Sequence, residues 1–355
     1  MWLFSKYKDL GILFLPVWII WIVICFLPDS ILHSSIPLWI WVVIILGIDV
    51  SHVWSTIFRT YLDKEEFQNH KTILILAPIF AFILLFGIAQ ESTLYFWRIL
   101  AYLAVFHFMK QQYGFFALYT VKAKIQKKHR VFNDKWVLYI SMIYPVIFWH
   151  LTDRSFDWFV AGDFFATNLL MNDSIRIILE SCYWLIILGW LLEEIILIKK
   201  GLNTISYGRI FWMLTTLLNW YLGIVWFNSD LAFTLTNVIA HGIPYISLII
   251  FYQIKKNSIP VVLPIKKVLT IATSIILISF LLGFLEEYLW DMYLYREKGS
   301  FFTYLFNYPA DIINNYWLQT FVLVLLSLPQ VTHYILDGFI WKMNDTNPHL
   351  KNILK

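Results

Sequence analysis

Charge is scarce in this chain. Of its 355 residues only 14% are charged, while 60% are hydrophobic and 19% aromatic. A water-soluble fold of that composition would expose far too much apolar surface, so a soluble globular domain is excluded. Cysteine is scarcer still: Cys25 and Cys182 are the only two, and both fall in apolar runs. That leaves no disulfide framework and no Cys-x-x-Cys metal site. No hydrophilic stretch is long enough to form a soluble domain, no low-complexity tract occurs, and no internal repeat is evident. The net charge of +4 reflects Lys and Arg distributed by membrane topology, and nothing points to nucleic acid as a partner. No small-residue cleavage signal follows Lys6 and Lys8, so the first apolar run reads as a retained span and not as a removed signal peptide.

What the chain has in abundance is long apolar runs. A run of about 18 residues or more crosses the hydrocarbon of a bilayer. On that criterion spans are expected near 10–27, 36–58, 72–90, 94–121, 136–151, 175–198, 209–226, 231–252, 268–285 and 315–341. The expected fold is therefore all-α: a polytopic integral-membrane helix bundle of about ten helices, forming one transmembrane domain over 1–355. Eighteen Trp and twenty Tyr suit such a protein, because their amphipathic rings settle at the headgroup level.

The cationic residues give an independent check. Lys6 and Lys8 precede the first span; Arg59, Lys64 and Lys71 follow the second. Lys122, Lys124, Lys127, Lys128, Arg130 and Lys135 follow the fourth, and Lys199, Lys200 and Arg209 the sixth. Lys255, Lys256, Lys266 and Lys267 follow the eighth; Lys342, Lys351 and Lys355 follow the tenth. The alternate loops hold only Arg154, Arg296 and Lys298. By the positive-inside rule both termini are expected to be cytoplasmic. The aromatic-rich outer segments 152–174 and 286–314 are expected to lie along the interface.

Inside the spans, polar residues recur at helical spacing, which puts residues three or four apart on one face. The second span has Asp49-Val-Ser-His52. The fourth has His107-Phe-Met-Lys110-Gln111-Gln112-Tyr113-Gly114. The eighth has Asn237-Val-Ile-Ala-His241-Gly-Ile-Pro-Tyr245, and the tenth has Gln330-Val-Thr-His333-Tyr-Ile-Leu-Asp337. A charged Asp at mid-span costs about 2.5–3.5 kcal/mol, so such stripes need a compensating partner. Neutral imidazole is the commonest ligand for iron, copper and zinc. His52, His107, His241 and His333, with Asp49 and Asp337, are therefore the candidate metal ligands. Asn237, Gln111, Lys110 and Gln330 are the candidate supporting residues that orient them. Such a set fits a mononuclear or dinuclear non-haem iron centre better than structural zinc, which prefers closed sites containing cysteine. His33, His70, His129, His150 and His349 fall in loops or at span ends. Glu193 and Glu194 read as a solvated helix end, and Asp63-Lys-Glu-Glu as a solvated loop.

The segments around His107, His241 and His333 resemble motifs of a family of uncharacterised multi-span bacterial membrane proteins. One histidine on each of several widely separated spans is also similar to the membrane β-carotene dioxygenases of the Brp/Blh type, and that resemblance implies a non-haem iron held by scattered histidines. Membrane desaturases and hydroxylases differ, since their HxxxH and HxxHH boxes are absent here.

The expected function is a membrane-embedded, metal-dependent oxygenase or oxidoreductase acting on a lipid or another apolar molecule, with an electron donor as a further partner. A proton- or metal-coupled transporter could use the same His and Asp residues. A membrane acyltransferase would use His241 with Asn237, and a b-type haem protein would need only two axial histidines.

Overall fold

Each apolar run becomes a helix, and several begin on a side chain that can cap one. Ser5, Asp63, Asn133, Ser229 and Asn315 accept hydrogen bonds from the backbone N–H groups of Lys8, Glu66, Lys135, Ala232 and Leu318 respectively. Each satisfies a donor that the first turn leaves open. The computed structural model describes residues 1–125, 130–152, 157–165, 173–258, 263–306, 313–343, 347 and 350. Lys127, Lys128, His129, Arg154, His349, Lys351 and Lys355, which figured in the sequence reading, lie outside the described residues, as do parts of the two expected interfacial segments.

The helices are α1 (Lys6–Phe26), α2 (Leu38–Arg59), α3 (Lys64–Asn69), α4 (Lys71–Glu91), α5 (Thr93–Ala123) and α6 (Asp134–Leu151). They are followed by α7 (Ser174–Lys199), α8 (Tyr207–Trp220, continuing as Tyr221–Trp226), α9 (Asp230–Asn257), α10 (Ile265–Tyr295), α11 (Gly299–Leu305) and α12 (Tyr316–Ile340). No strand occurs among the described residues. Among the described residues, seven helices are long and apolar enough to cross a membrane: α1, α2, α4, α7, α9, α10 and α12. The other three expected spans, 94–121, 136–151 and 209–226, are also helical, as α5, α6 and α8. Polar residues dilute their hydropathy: His107, Lys110, Gln111 and Gln112 on α5, Asp134 and Lys135 on α6, and Arg209, Thr215, Thr216 and Asn219 on α8. The chain is thus a multi-pass helical membrane protein; its described residues hold seven clear spans, where the sequence reading expected about ten.

By its internal contacts the chain clusters into two compact units. One comprises Met1–Leu38 and Val105–Pro244; the other comprises Trp39–Ala104 and Tyr245–Leu354. In the first unit α6 packs against α7 and α8, and α1 packs against α8 and α9. Trp18 Nε1 donates to Thr215 Oγ1 at 3.0 Å, and Trp21 Nε1 to Asn219 Oδ1 at 2.6 Å. Asn219 thus serves as an anchor for α1. Glu180 accepts a hydrogen bond from Tyr221. Glu193 and Glu194 are not a solvated helix end. Glu194 is buried and pairs with Arg130 and Arg209, while Glu193 accepts from the backbone N–H groups of Val131 and Phe132. Asp134 completes this ionic group through both arginines.

In the second unit α4 lies along α12, and α2 packs against α10 and α12. Gly283 lets α10 close on α2: a Cβ there would come within 3.1 Å of Val50 Cγ1. The Asp63-Lys-Glu-Glu run also departs from the sequence reading. Asp63 caps α3, and Glu66 is buried against the guanidinium of Arg59, with Tyr252 donating to it at 2.7 Å. Local spacing could not reveal this, because Arg59 and Tyr252 reach Glu66 from other helices.

Five stretches among the described residues wind more widely than an α-helix, with i→i+5 hydrogen bonding: Asp9–Phe14, Trp41–Val50, Tyr221–Trp226, Thr234–Val238 and Asp291–Tyr295. Two of them end within about one turn of a candidate histidine: Trp41–Val50 before His52 in α2, and Thr234–Val238 before His241 in α9.

Candidate functional site

Each unit brings two of the four histidines into contact. In the second unit, His52 on α2 and His333 on α12 meet edge to face, with ring centroids 4.9 Å apart and planes at 79°. Asp49 lies one turn before His52 on α2, its Oδ1 3.5 Å from His52 Nδ1. Asp337, one turn after His333, does not bond the imidazole directly; its Oδ1 is 3.8 Å from His333 Nδ1. It accepts instead from Tyr245 Oη at 2.6 Å. Tyr245 and His333 are joined through Thr56, whose Oγ1 lies 3.0 Å from Tyr245 Oη and 2.7 Å from His333 Nδ1. The Tyr245 ring stands edge-on to both imidazoles, with centroids 5.7 Å from His52 and 5.0 Å from His333.

In the first unit, His107 on α5 and His241 on α9 meet in nearly the same way, 5.0 Å apart at 79°. Phe108 lies flat on His241, and Trp158 stands edge-on to Phe108 at 5.3 Å. Gln111 donates to the backbone carbonyl of His241 at 2.7 Å, and Gln112 to that of Ala240 at 3.3 Å. Gln112 is held in turn by Thr216 at 2.9 Å, and its carbonyl accepts from Trp212 at 2.9 Å. These amides satisfy carbonyls of the α9 turn that carries His241. Pro244, which has no N–H to offer, leaves the carbonyl of Ala240 without its helical partner.

Several expected supporting roles are filled differently. Gln111 acts on the His241 backbone and not on the His107 ring. Asn237 was expected to orient His241. Its amide instead donates to the Asn219 carbonyl and to Thr236 Oγ1, both at 3.1 Å, tying α9 to α8. Lys110 is exposed and sits over the Tyr113 ring at 5.9 Å, so it extends away from the buried face that carries His107. Gln330 donates to Tyr334 Oη at 2.6 Å on its own helix.

Two functional residues escaped the sequence reading: Thr56, which looks like any helical threonine, and Tyr245, whose partners lie on α2 and α12. Glu286 and Glu287 were also misplaced. The span expected at 268–285 ends just before them, but α10 runs on to Tyr295, and Trp54 donates to Glu286 Oε2 at 2.6 Å.

His107 and His241 in the first unit, and His52 and His333 in the second, are buried and each could ligate a metal ion. Their donor chemistry fits one: all four are at most 4% exposed, each offers an imidazole nitrogen, and both cysteines are exposed and stand apart from the set. No family model, no curated protein and no solved structure matches this chain, so the reading of the site rests on its own residues.

Proposed function

We propose that His52, His107, His241 and His333 are ligands to iron, mononuclear or dinuclear, and that the chain is an integral-membrane oxidoreductase using dioxygen on a lipid or another apolar substrate. One observation carries this reading. In each unit two buried imidazoles from different helices lie against each other, His52 with His333 at 4.9 Å and His107 with His241 at 5.0 Å between ring centroids.

An all-imidazole set with carboxylates in reserve suits iron, and the lack of a thiolate argues against a structural zinc site. Bound iron would supply activation of dioxygen. The chain's own residues would do the rest. Phe108 and Tyr245 would wall the imidazoles with aromatic surface and keep water away, while Asp49 and Asp337 place carboxyl groups close to His52 and His333. An apolar substrate dissolved in the bilayer reaches such a protein without a soluble domain. Both termini would face the cytoplasm, and an external electron donor would act from there.

A second reading, a proton- or metal-coupled transporter, is favoured by one specific observation. Glu286 and Glu287 add two carboxylates on α10, the helix packed against the α2 that carries Asp49 and His52. One experiment separates the two. Iron-loaded protein in lipid vesicles is given a reductant and heavy-isotope dioxygen. Label in lipid-extractable products supports the oxidoreductase. No label, with ion flux that disappears in His52→Ala, overturns it in favour of transport.

A further inference from the structure

We infer that Asp337, Tyr245 and Thr56 form a directed hydrogen-bond chain that fixes His333 as the tautomer protonated on Nδ1, which makes Nε2 its metal-ligating nitrogen. The inference rests on the metal-site reading above for its use, though not for its geometry.

The direction follows from counting protons. Tyr245 has one hydroxyl proton, and it is directed at Asp337 Oδ1, 2.6 Å away. The Tyr245 oxygen can then only accept from Thr56, 3.0 Å away. Thr56 also has one proton, and donating it to Tyr245 leaves its oxygen as an acceptor. The remaining neighbour of that oxygen is His333 Nδ1 at 2.7 Å, which must therefore carry a hydrogen. In a neutral imidazole the lone pair then resides on Nε2.

The side chains are held for this role. Thr56 is buried, and unlike Thr60, Thr120 and Thr236, whose hydroxyls bond backbone carbonyls of their own helices, it reaches across to α9 and α12. Tyr245 is buried, and Trp341 Nε1 approaches its oxygen at 3.5 Å as a further donor, which reinforces Tyr245 as a donor towards Asp337 and not away from it. Asp337 is too far from His333 to do the work alone. The tyrosine and threonine extend its reach by two hydrogen bonds. All three act through His333 and are positioning residues.

The test uses full-length protein with nitrogen-labelled histidine. In the metal-free wild type, nitrogen NMR is expected to show His333, assigned by its loss in His333→Ala, as the Nδ1–H form. Tyr245→Phe removes the acceptor of the Thr56 proton, which then turns to Nδ1, so the population is expected to move to the Nε2–H form. Thr56→Val should leave mixed tautomers, and Thr56→Ser should restore the wild-type spectrum. Iron affinity should fall roughly 10–100-fold in Tyr245→Phe and Thr56→Val, as is typical for removing an outer hydrogen bond to a metal ligand, and recover in Thr56→Ser. An Nε2–H form in the wild type, or a tautomer unmoved by both Tyr245→Phe and Thr56→Val, overturns the inference. If the wild type binds no iron yet shows the expected tautomers, the metal reading fails and the hydrogen-bond chain stands.

Discussion

Phe108 lies flat on His241, with ring centroids 3.7 Å apart and planes within 4°. The contact fixes the plane of the imidazole while Gln111 and Gln112 hold the turn beneath it. Phe108→Ala opens a cavity at a buried site, and the expected loss on chemical unfolding in detergent is about 3–5 kcal/mol. Phe108→Leu keeps most of the volume but not the flat face. It should retain more of the stability than Phe108→Ala and still loosen metal retention. Equal metal retention in wild type and Phe108→Leu would show that the stack serves packing alone.

Arg59 and Glu66 form a buried ion pair in the second unit, with the Tyr252 ring 4.1 Å from the guanidinium. Removing one partner leaves the other charge buried and unpaired, which costs about 3–5 kcal/mol. Glu66→Gln should therefore destabilise the protein far more than Glu65→Gln, whose site is largely exposed. The comparison is made by unfolding in detergent, and equal effects would contradict the assignment.

The four histidines were legible because each stands out against an apolar run and has a polar neighbour at i+3 or i+4. What those neighbours do was not legible. Asp337 shares a face with His333, yet it acts through Tyr245, 92 residues away in sequence, and Asn237 bonds α8 in place of its own histidine. Helical spacing shows which residues share a face but not what packs against that face. The same limit hid Glu66 and Glu194, acidic residues that look solvated until an arginine from elsewhere in the chain is placed beside them. Glu286 and Glu287 were lost for a different reason: an apolar-run criterion ends a span at the first charges, whereas the helix continues.

Asp63 supplies a dependence on pH outside the spans. Burial pushes its carboxyl up, but hydrogen bonds from Lys256 and from the Glu66 backbone N–H pull it down further, so it lies below its ordinary value of 3.8. A depressed carboxylate adds stability that is complete above the unfolded value and is lost as the pH falls through the folded one. Wild-type protein should thus lose stability relative to Asp63→Asn as the pH drops below about 4, and the difference should be constant at neutral pH. Unfolding curves of both proteins across that range check the sign. A difference that grows in favour of the wild type on acidification would contradict it.

The central claim is that the buried imidazole pairs hold iron. Its most direct measurement is the iron content of detergent-purified protein prepared without chelators or metal-affinity tags, for the wild type and for each of His52→Ala, His107→Ala, His241→Ala and His333→Ala. Ligation by these histidines predicts iron in the wild type and a lower iron content in each of the four variants. If the wild type carries no transition metal, or if the variants keep the wild-type iron content, the four histidines do not hold iron.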